Sequence, residues 1–193
     1  MNYLLLAVIG FLLGSIPTAY ILLKLFRKTN ILEIGSRNVG AFNAYEVTGS
    51  RLTGIIIFII DALKGLVSVY IAKQFFPIDF MFPMTALFLS VLGHCFSPWI
   101  KFKGGRGLAT AAGGSALFVP SIPIVWAVIW IVAYLFRKNI HFGNISATIL
   151  TAAVVLTTSD VLNQVKYASP PADKDITFGL SVTLVLLLIM IKH

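Results

Sequence analysis

Apolar residues fall in long blocks at about 3–25, 53–76, 80–98, 108–119, 121–136, 145–160 and 176–191, broken by short polar or glycine-rich stretches. Most approach the roughly 20 residues with which a helix crosses the hydrocarbon of a bilayer. Lipid offers no partner to backbone N–H and C=O groups, so such blocks are expected as helices. The fourth and fifth blocks are separated only by Val119-Pro120-Ser121-Ile122-Pro123, and the fourth is short. They read either as two spans or as one kinked, partly re-entrant element, so the count is six or seven. The first block lacks a basic leader and a small-residue cleavage site, and is expected to be a retained helix. No internal repeat or low-complexity linker interrupts the pattern. A length of 193 residues is close to one domain on a scale of roughly 150 residues each. The expected fold is therefore an all-α membrane protein, a polytopic bundle of about seven transmembrane helices, with 1–193 forming a single integral membrane domain.

Composition and charge sharpen this picture. At 58% hydrophobic and 11% charged residues, with a mean hydropathy of +0.93, the chain is far more apolar than soluble domains. Lipid must cover most of it. The 15 Lys+Arg against 7 Asp+Glu would in a soluble protein raise nucleic acid binding. In a membrane protein, basic residues collect instead in cytoplasmic loops. Seven spans with the N-terminus outside and the C-terminus cytoplasmic put eleven of them inside: Lys24, Arg27, Lys28, Arg37, Arg51, Lys101, Lys103, Arg106, Arg137, Lys138 and Lys192. Only Lys73, Lys166 and Lys174 fall outside, and Lys64 lies within a span. Six spans would move Arg137 and Lys138 outside, which favours seven. No nucleic acid partner is expected. Cys95, the single cysteine, permits no internal disulfide.

Three polar features stand out, all assigned to the cytoplasmic side. In Gly35-Ser36-Arg37-Asn38-Val39-Gly40-Ala41-Phe42-Asn43, two glycines allow positive φ and close approach to a ligand. Ser36, Asn38 and Asn43 add neutral donors and acceptors, and Arg37 a fork suited to phosphate; an ordinary polar turn is the alternative. In Phe102-Lys103-Gly104-Gly105-Arg106-Gly107, small residues follow that open a helix. Successive amides in such a turn and a helix N-terminus favour an anion, which Lys103 and Arg106 would neutralise; a flexible glycine hinge is the alternative. The spacing is not that of a Walker A loop. Within the second span, Asp61 and Lys64 lie three apart, on one helical face where they can pair. Ionisable groups at membrane depth are functional candidates, with a structural ion pair as the alternative. His94, near the end of the third span, is a candidate proton carrier or a satisfied helix-end histidine. No metal-ligand spacing is present, so neither a metal nor a cofactor is expected.

Taken in order, Leu13-Gly14-Ser15-Ile16-Pro17-Thr18-Ala19-Tyr20, Gly35 to Asn43, Asp61-Ala62-Leu63-Lys64-Gly65, Gly93-His94 and Phe102 to Thr110 resemble the bacterial acyl-phosphate:glycerol-3-phosphate acyltransferase family. The resemblance covers roughly residues 10–147, and the last span by position. It implies seven spans, cytoplasmic active-site loops and a place in the bacterial plasma (inner) membrane. It also implies transfer of a fatty acyl group from acyl phosphate to the 1-hydroxyl of glycerol 3-phosphate, giving lysophosphatidate. The implied partners are these two substrates, membrane lipid and the soluble enzyme that makes acyl phosphate.

By position, Ser36, Asn38 and Asn43 match the serine and asparagines of the family's first motif. Gly104, Gly105 and Gly107 match its glycine-rich loop, Arg106 stands where the family usually has Lys, and Lys64 and His94 match positions lining the same region. The chain departs from the family at Arg37, Phe42 and Glu46, the last replacing an arginine. The loop before the sixth span also differs, and the family's Arg-His-x-x-Asn-Ile pattern begins where this sequence stops, at Lys192-His193.

Acyl phosphate is already activated, so catalysis requires alignment and charge neutralisation rather than a strong nucleophile. Direct attack by the glycerol hydroxyl is expected, its proton passing to a substrate phosphate or to His94. The Gly104–Gly107 loop, Lys103 and Arg106 would hold a phosphate, while Ser36, Asn38 and Asn43 orient the acceptor or stabilise the oxyanion. A covalent acyl-Ser36 intermediate normally needs an adjacent base, and the sequence shows none. Two other functions fit parts of the pattern: a small anion or phosphate-ester transporter, and a catalytically impaired relative that binds lipid precursors.

Overall fold

The computed structural model describes residues 3–164 and 168–193. Among these it is all helix apart from loops, with one isolated bridge between Ser97 and Lys103. In chain order the helices are α1 (Tyr3–Ser15), α2 (Thr18–Arg27), α3 (Ala41–Thr48), α4 (Arg51–Phe75), α5 (Met81–Cys95), α6 (Leu108–Phe118), α7 (Ser121–Arg137), α8 (Ile140–Thr157), α9 (Ser159–Leu162) and α10 (Asp175–Ile191). Every apolar block has become helix.

The first block is interrupted at Ile16-Pro17, because proline lacks an N–H and cannot continue the hydrogen-bond ladder. At the break the Ile16 carbonyl accepts the Thr18 N–H at 3.0 Å and the Lys64 ammonium of α4. The segments Tyr3–Arg27, Arg51–Phe75 and Ile140–Thr157 are long and apolar enough to cross a membrane, and α5, α6, α7 and α10 are shorter apolar helices. The fourth and fifth blocks form two helices rather than one kinked element. α6, with 11 residues, rises only about 16 Å.

Two short helices, α3 and α9, lie where the apolar pattern gave no span. α8 starts earlier than its apolar block, because Asn139 caps it by accepting the Phe142 N–H at 3.0 Å. The expected outside residue Lys166 falls outside the described residues.

Helices in lipid gain little from burying apolar side chains, so close backbone approach through small residues carries their association. Gly10 and Gly14 of α1 face the backbones of Ala86 and Ser90 on α5. Gly65 of α4 faces the backbone of Thr110 on α6, and Gly113 of α6 faces that of Ala62. A side chain at any of these positions would collide with main chain. α5, α6 and α10 then enclose a core that includes Leu87, Val91, Phe118, Phe178, Leu186 and Ile189.

α7 stands apart, with only Ile122 buried. It is held to α8 by Trp126 Nε1 donating to Thr148 Oγ1 at 3.1 Å and Trp130 Nε1 donating to Asn144 Oδ1 at 2.7 Å. A space is thereby left between α7 and the α5–α6–α10 core.

A methyl group at Gly14 must displace main chain on α5. Gly14→Ala is expected to lower stability by about 1–3 kcal/mol, read as a fall in the unfolding temperature in detergent. Gly179→Ala is the contrast: its methyl would meet Ser159 and Leu156 at 3.4 Å or more, so stability should hold or rise.

Candidate functional site

Two loops at one end of the bundle build the site. The first runs from the end of α2 to Gly40, which caps α3 in an extended conformation at φ −144°. The positive-φ positions are Gly35 at 58° and Arg37 at 59°, so Gly40, expected to share that freedom, does not use it. Asn43, in the first turn of α3, is the hub of this loop. Its Oδ1 accepts the Ser36 N–H at 2.9 Å, and its Nδ2 donates to the Asn38 carbonyl at 2.9 Å and the Ile34 carbonyl at 3.4 Å. With 1% exposure and its amide engaged by the loop, Asn43 shapes the turn from behind.

The second loop leaves α5 and returns to α6. The Ser97 N–H donates to the Lys103 carbonyl at 3.1 Å and the Phe102 N–H to the Ser97 carbonyl at 2.9 Å. Ser97 Oγ donates to the Ser15 carbonyl at 2.5 Å and Trp99 Nε1 to Ser15 Oγ at 2.9 Å, anchoring the loop to α1. Gly104 presses on the main chain of His94 and Cys95, and the place of a Gly105 side chain is taken by His94 Nε2 and the Val39 carbonyl. The Gly105 N–H donates to the His94 carbonyl at 3.1 Å, and the Val39 N–H donates to the Gly104 carbonyl at 3.4 Å. That last bond joins the two loops. Gly107, at φ 83°, turns the chain into α6.

Beneath the loops lies a buried polar trio. Lys64 Nζ stands 2.6 Å from Asp61 Oδ1, and His94 Nδ1 lies 3.8 Å from the same oxygen. The ion pair expected from the sequence is therefore present, with His94 as a third member.

A cavity of about 590 Å³ begins here and runs into the bundle. Asn38, Gly40, Asp61, His94, Arg106 and Gly107 line its polar end, and most of the remainder is lined by α5, α6, α7 and α10, with residues of α3, α4 and α8 at the sides. Phe42 and Phe58 are both lining and exposed, so the cavity is open on that side.

Of the residues singled out from sequence, Asn38, Asp61, His94, Arg106 and Gly107 face this cavity. Asn43, Gly104 and Gly105 lie behind it as loop supports, and Lys64 sits behind Asp61. Ser36 and Lys103 are exposed on the loops and are not among the lining residues.

Arg106 is half-buried. Burial pushes its guanidinium below the ordinary value, and the Glu46 carboxylate pulls it back up. It remains cationic at neutral pH.

His193, to which the sequence reading gave no role, belongs to the same neighbourhood. Burial, then the positive charges of Arg106 and His141, push its imidazole down to about 4, so it is uncharged beside Arg106 at pH 7. Asn144 and Trp130 also line the cavity and were not anticipated. The Trp130 indole bond to Asn144 spans two helices and has no signature in either one alone.

The fold and site define an integral membrane protein with a cationic, glycine-lined mouth opening into an apolar slot, an arrangement matched to an amphiphile with an anionic group. The family model described as "Glycerol-3-phosphate acyltransferase" matches residues 4–193, and this chain belongs to that family.

Among relatives named glycerol-3-phosphate acyltransferase, that of Wolbachia pipientis is 36% identical over 141 residues, covering 73% of this chain and 72% of its own. That of Thermotoga petrophila is 36% identical, covering 79% and 76% respectively. That of Ehrlichia canis is 32% identical, covering 96% and 88%. The crystal structure of the integral membrane glycerol 3-phosphate acyltransferase PlsY (YgiH) in its glycerol 3-phosphate form is similar, with a TM-score of 0.80 and 29% identity, covering 99% of this chain and 88% of that one. Its lysophosphatidic acid form gives 0.79 at 29% identity, covering 99% and 87%.

Asn43→Ala would leave the Ser36 amide and two carbonyls without their side-chain partner. It is expected to cost about 1–3 kcal/mol, seen as a lowered unfolding temperature. Faster proteolysis within residues 34–38 should accompany it.

Proposed function

We propose that this chain transfers an acyl group from acyl phosphate to the 1-hydroxyl of glycerol 3-phosphate, releasing lysophosphatidate and inorganic phosphate. The observation that carries the reading is the cavity itself, which joins Arg106, Gly107 and Asn38 to a slot walled by apolar helices. The names of the relatives and the two ligand forms of the similar crystal structure support it.

The hydroxyl oxygen attacks the carbonyl carbon, and the tetrahedral adduct collapses with cleavage of the carbon–oxygen bond to phosphate. The hydroxyl proton goes to the departing phosphate or to His94. Arg106 and the amides opening α6 neutralise phosphate charge, as a helix N-terminus favours anions. Lys103, exposed on the loop, draws anionic substrates toward the mouth. Ser36 and Asn38 orient the acceptor, and Asn43 holds their loop in shape. Gly104 and Gly105 let the loop lie on His94, whose ring Asp61 orients; Lys64 balances that carboxylate.

The acyl chain enters from lipid through the open side near Phe58. In this reading 1–193 act as one domain in the bacterial plasma membrane, with the N-terminus outside and both loops cytoplasmic. There the loops meet glycerol 3-phosphate and the soluble enzyme that supplies acyl phosphate.

Purified protein in detergent, given glycerol 3-phosphate and palmitoyl phosphate, is expected to form lysophosphatidate and phosphate in equal amounts. Arg106→Gln removes a charge-assisted hydrogen bond and should lower kcat/KM about 10- to 100-fold. Gly105→Ala, which drives a methyl into His94, should lower it at least as far. Absence of lysophosphatidate at all substrate ratios would sink the reading. Incubation with acyl phosphate alone should leave Ser36 unmodified by mass spectrometry, whereas an acyl adduct there would overturn direct transfer.

A further inference from the structure

The slot has a closed end whose construction goes beyond what acyl transfer requires. Resting on the proposed reaction, we infer that Met84, Val119, Ile122 and Val182 form a floor that sets the longest acyl chain this enzyme uses. These four come from α5, the end of α6, the start of α7 and α10, and all line the cavity at the end remote from Arg106.

Each is buried, at 3%, 1%, 5% and 4% exposure. A second layer close by stiffens the floor: Phe80 packs against both Phe118 and Phe178 with ring centroids 5.8 Å apart in each pair. The backbone that closes the slot is also held. The Val119 N–H donates to the Ser115 carbonyl at 2.8 Å and the Ile122 N–H to the Val119 carbonyl at 3.0 Å.

The side wall is fixed by the Trp126 and Trp130 indoles, each hydrogen-bonded to α8. Between mouth and floor, α6 presents the small residues Ala111, Ala112 and Ser115, leaving width for a polymethylene chain. The rise from Gly107 to Val119 is about 18 Å at 1.5 Å per residue. A chain that ends above the floor gains about fourfold in binding for each added methylene. One that reaches it must deform packed side chains or bend back toward the mouth.

A series of straight-chain acyl phosphates from lauroyl to stearoyl tests this at saturating glycerol 3-phosphate. In the wild-type enzyme kcat/KM is expected to climb with length and then break. Met84→Ala with Ile122→Ala deepens the slot and should move the break to longer chains. The first chain rejected by the wild type should gain about 15-fold, as two newly accommodated methylenes would give. Val182→Phe raises the floor and should move the break to shorter chains. KM for glycerol 3-phosphate should stay unchanged in both.

Met84→Leu, close in volume, separates depth from lost packing and should keep the wild-type profile. A break at the same length in the deepened and raised variants would overturn the floor while leaving acyl transfer standing. The shift in unfolding temperature on adding lysophosphatidates of the same lengths gives a readout without turnover. If no acyl phosphate reacts, the reaction fails as a reading. Even then, a length break in these shifts that moves with the variants supports the floor, and its absence refutes it.

Discussion

Two helices in lipid gain nothing by hiding leucines from water, so this bundle is held where backbones touch. The α4–α6 contact shows the consequence of that constraint. Gly65 meets the main chain of Thr110, and Gly113 meets that of Ala62. This seats α6 one glycine-width from the helix that carries Asp61. The N-terminus of α6 and the Asp61 carboxylate therefore border the same cavity, though they belong to different parts of the sequence. The α1–α5 contact works likewise: Gly10, Gly14 and Gly93 let the helices close, which brings Ser15 within reach of Ser97 and Trp99. Packing through small residues thus fixes both the stack of helices and the height of the loops above it.

The buried pair Asp61–Lys64 sits on that frame and ties α4 to the break at Pro17. A proline within the first apolar block cannot donate to the helical ladder, so backbone groups at the break must find partners from outside it. The Ile16 carbonyl, at the break, accepts both the Thr18 N–H and the Lys64 ammonium, and a buried ammonium without a counter-charge would be costly. Asp61 balances it and keeps a side open to His94 at 3.8 Å. The break in the first block, the ion pair and the placement of His94 are therefore one arrangement. Loss of the Asp61 carboxylate would be felt at the end of α1 as much as at the loop.

The apolar blocks were legible as helices because a bilayer permits little else, and the Asp61–Lys64 pair was legible because spacing alone puts the two on one helical face. α3 was less visible. Its residues Ala41–Thr48 lack an apolar stripe, and its clearest signal, Gly49 in the left-handed conformation at its end, lies in a stretch that reads equally well as a turn. The role of Asn43 depends on three partners placed by that hidden helix. The cavity could not be read at all, because it exists where α7 prefers α8 to the core. That preference rests on indole hydrogen bonds to Thr148 and Asn144, which pair residues 22 and 14 positions apart. Local periodicity carries no record of such pairs.

The departure at Glu46 looks damaging in sequence, since a carboxylate replaces an arginine where phosphate is to be bound. In the structure its consequence depends on where each charge sits. Glu46 is exposed, and its field on Arg106 is weakened by water and salt over about 8 Å. Arg106 is half-buried and lines the cavity, where a phosphate would meet it directly, with less solvent between them and with the amides of α6 alongside. An anion inside the cavity would therefore act on Arg106 more strongly than Glu46 does. Until a phosphate arrives, Glu46 supports the charge of an arginine that burial would otherwise weaken. The substitution is thus compatible with an anion site, because the opposing carboxylate is exposed to solvent whereas the guanidinium it acts on is half-buried and lines the cavity.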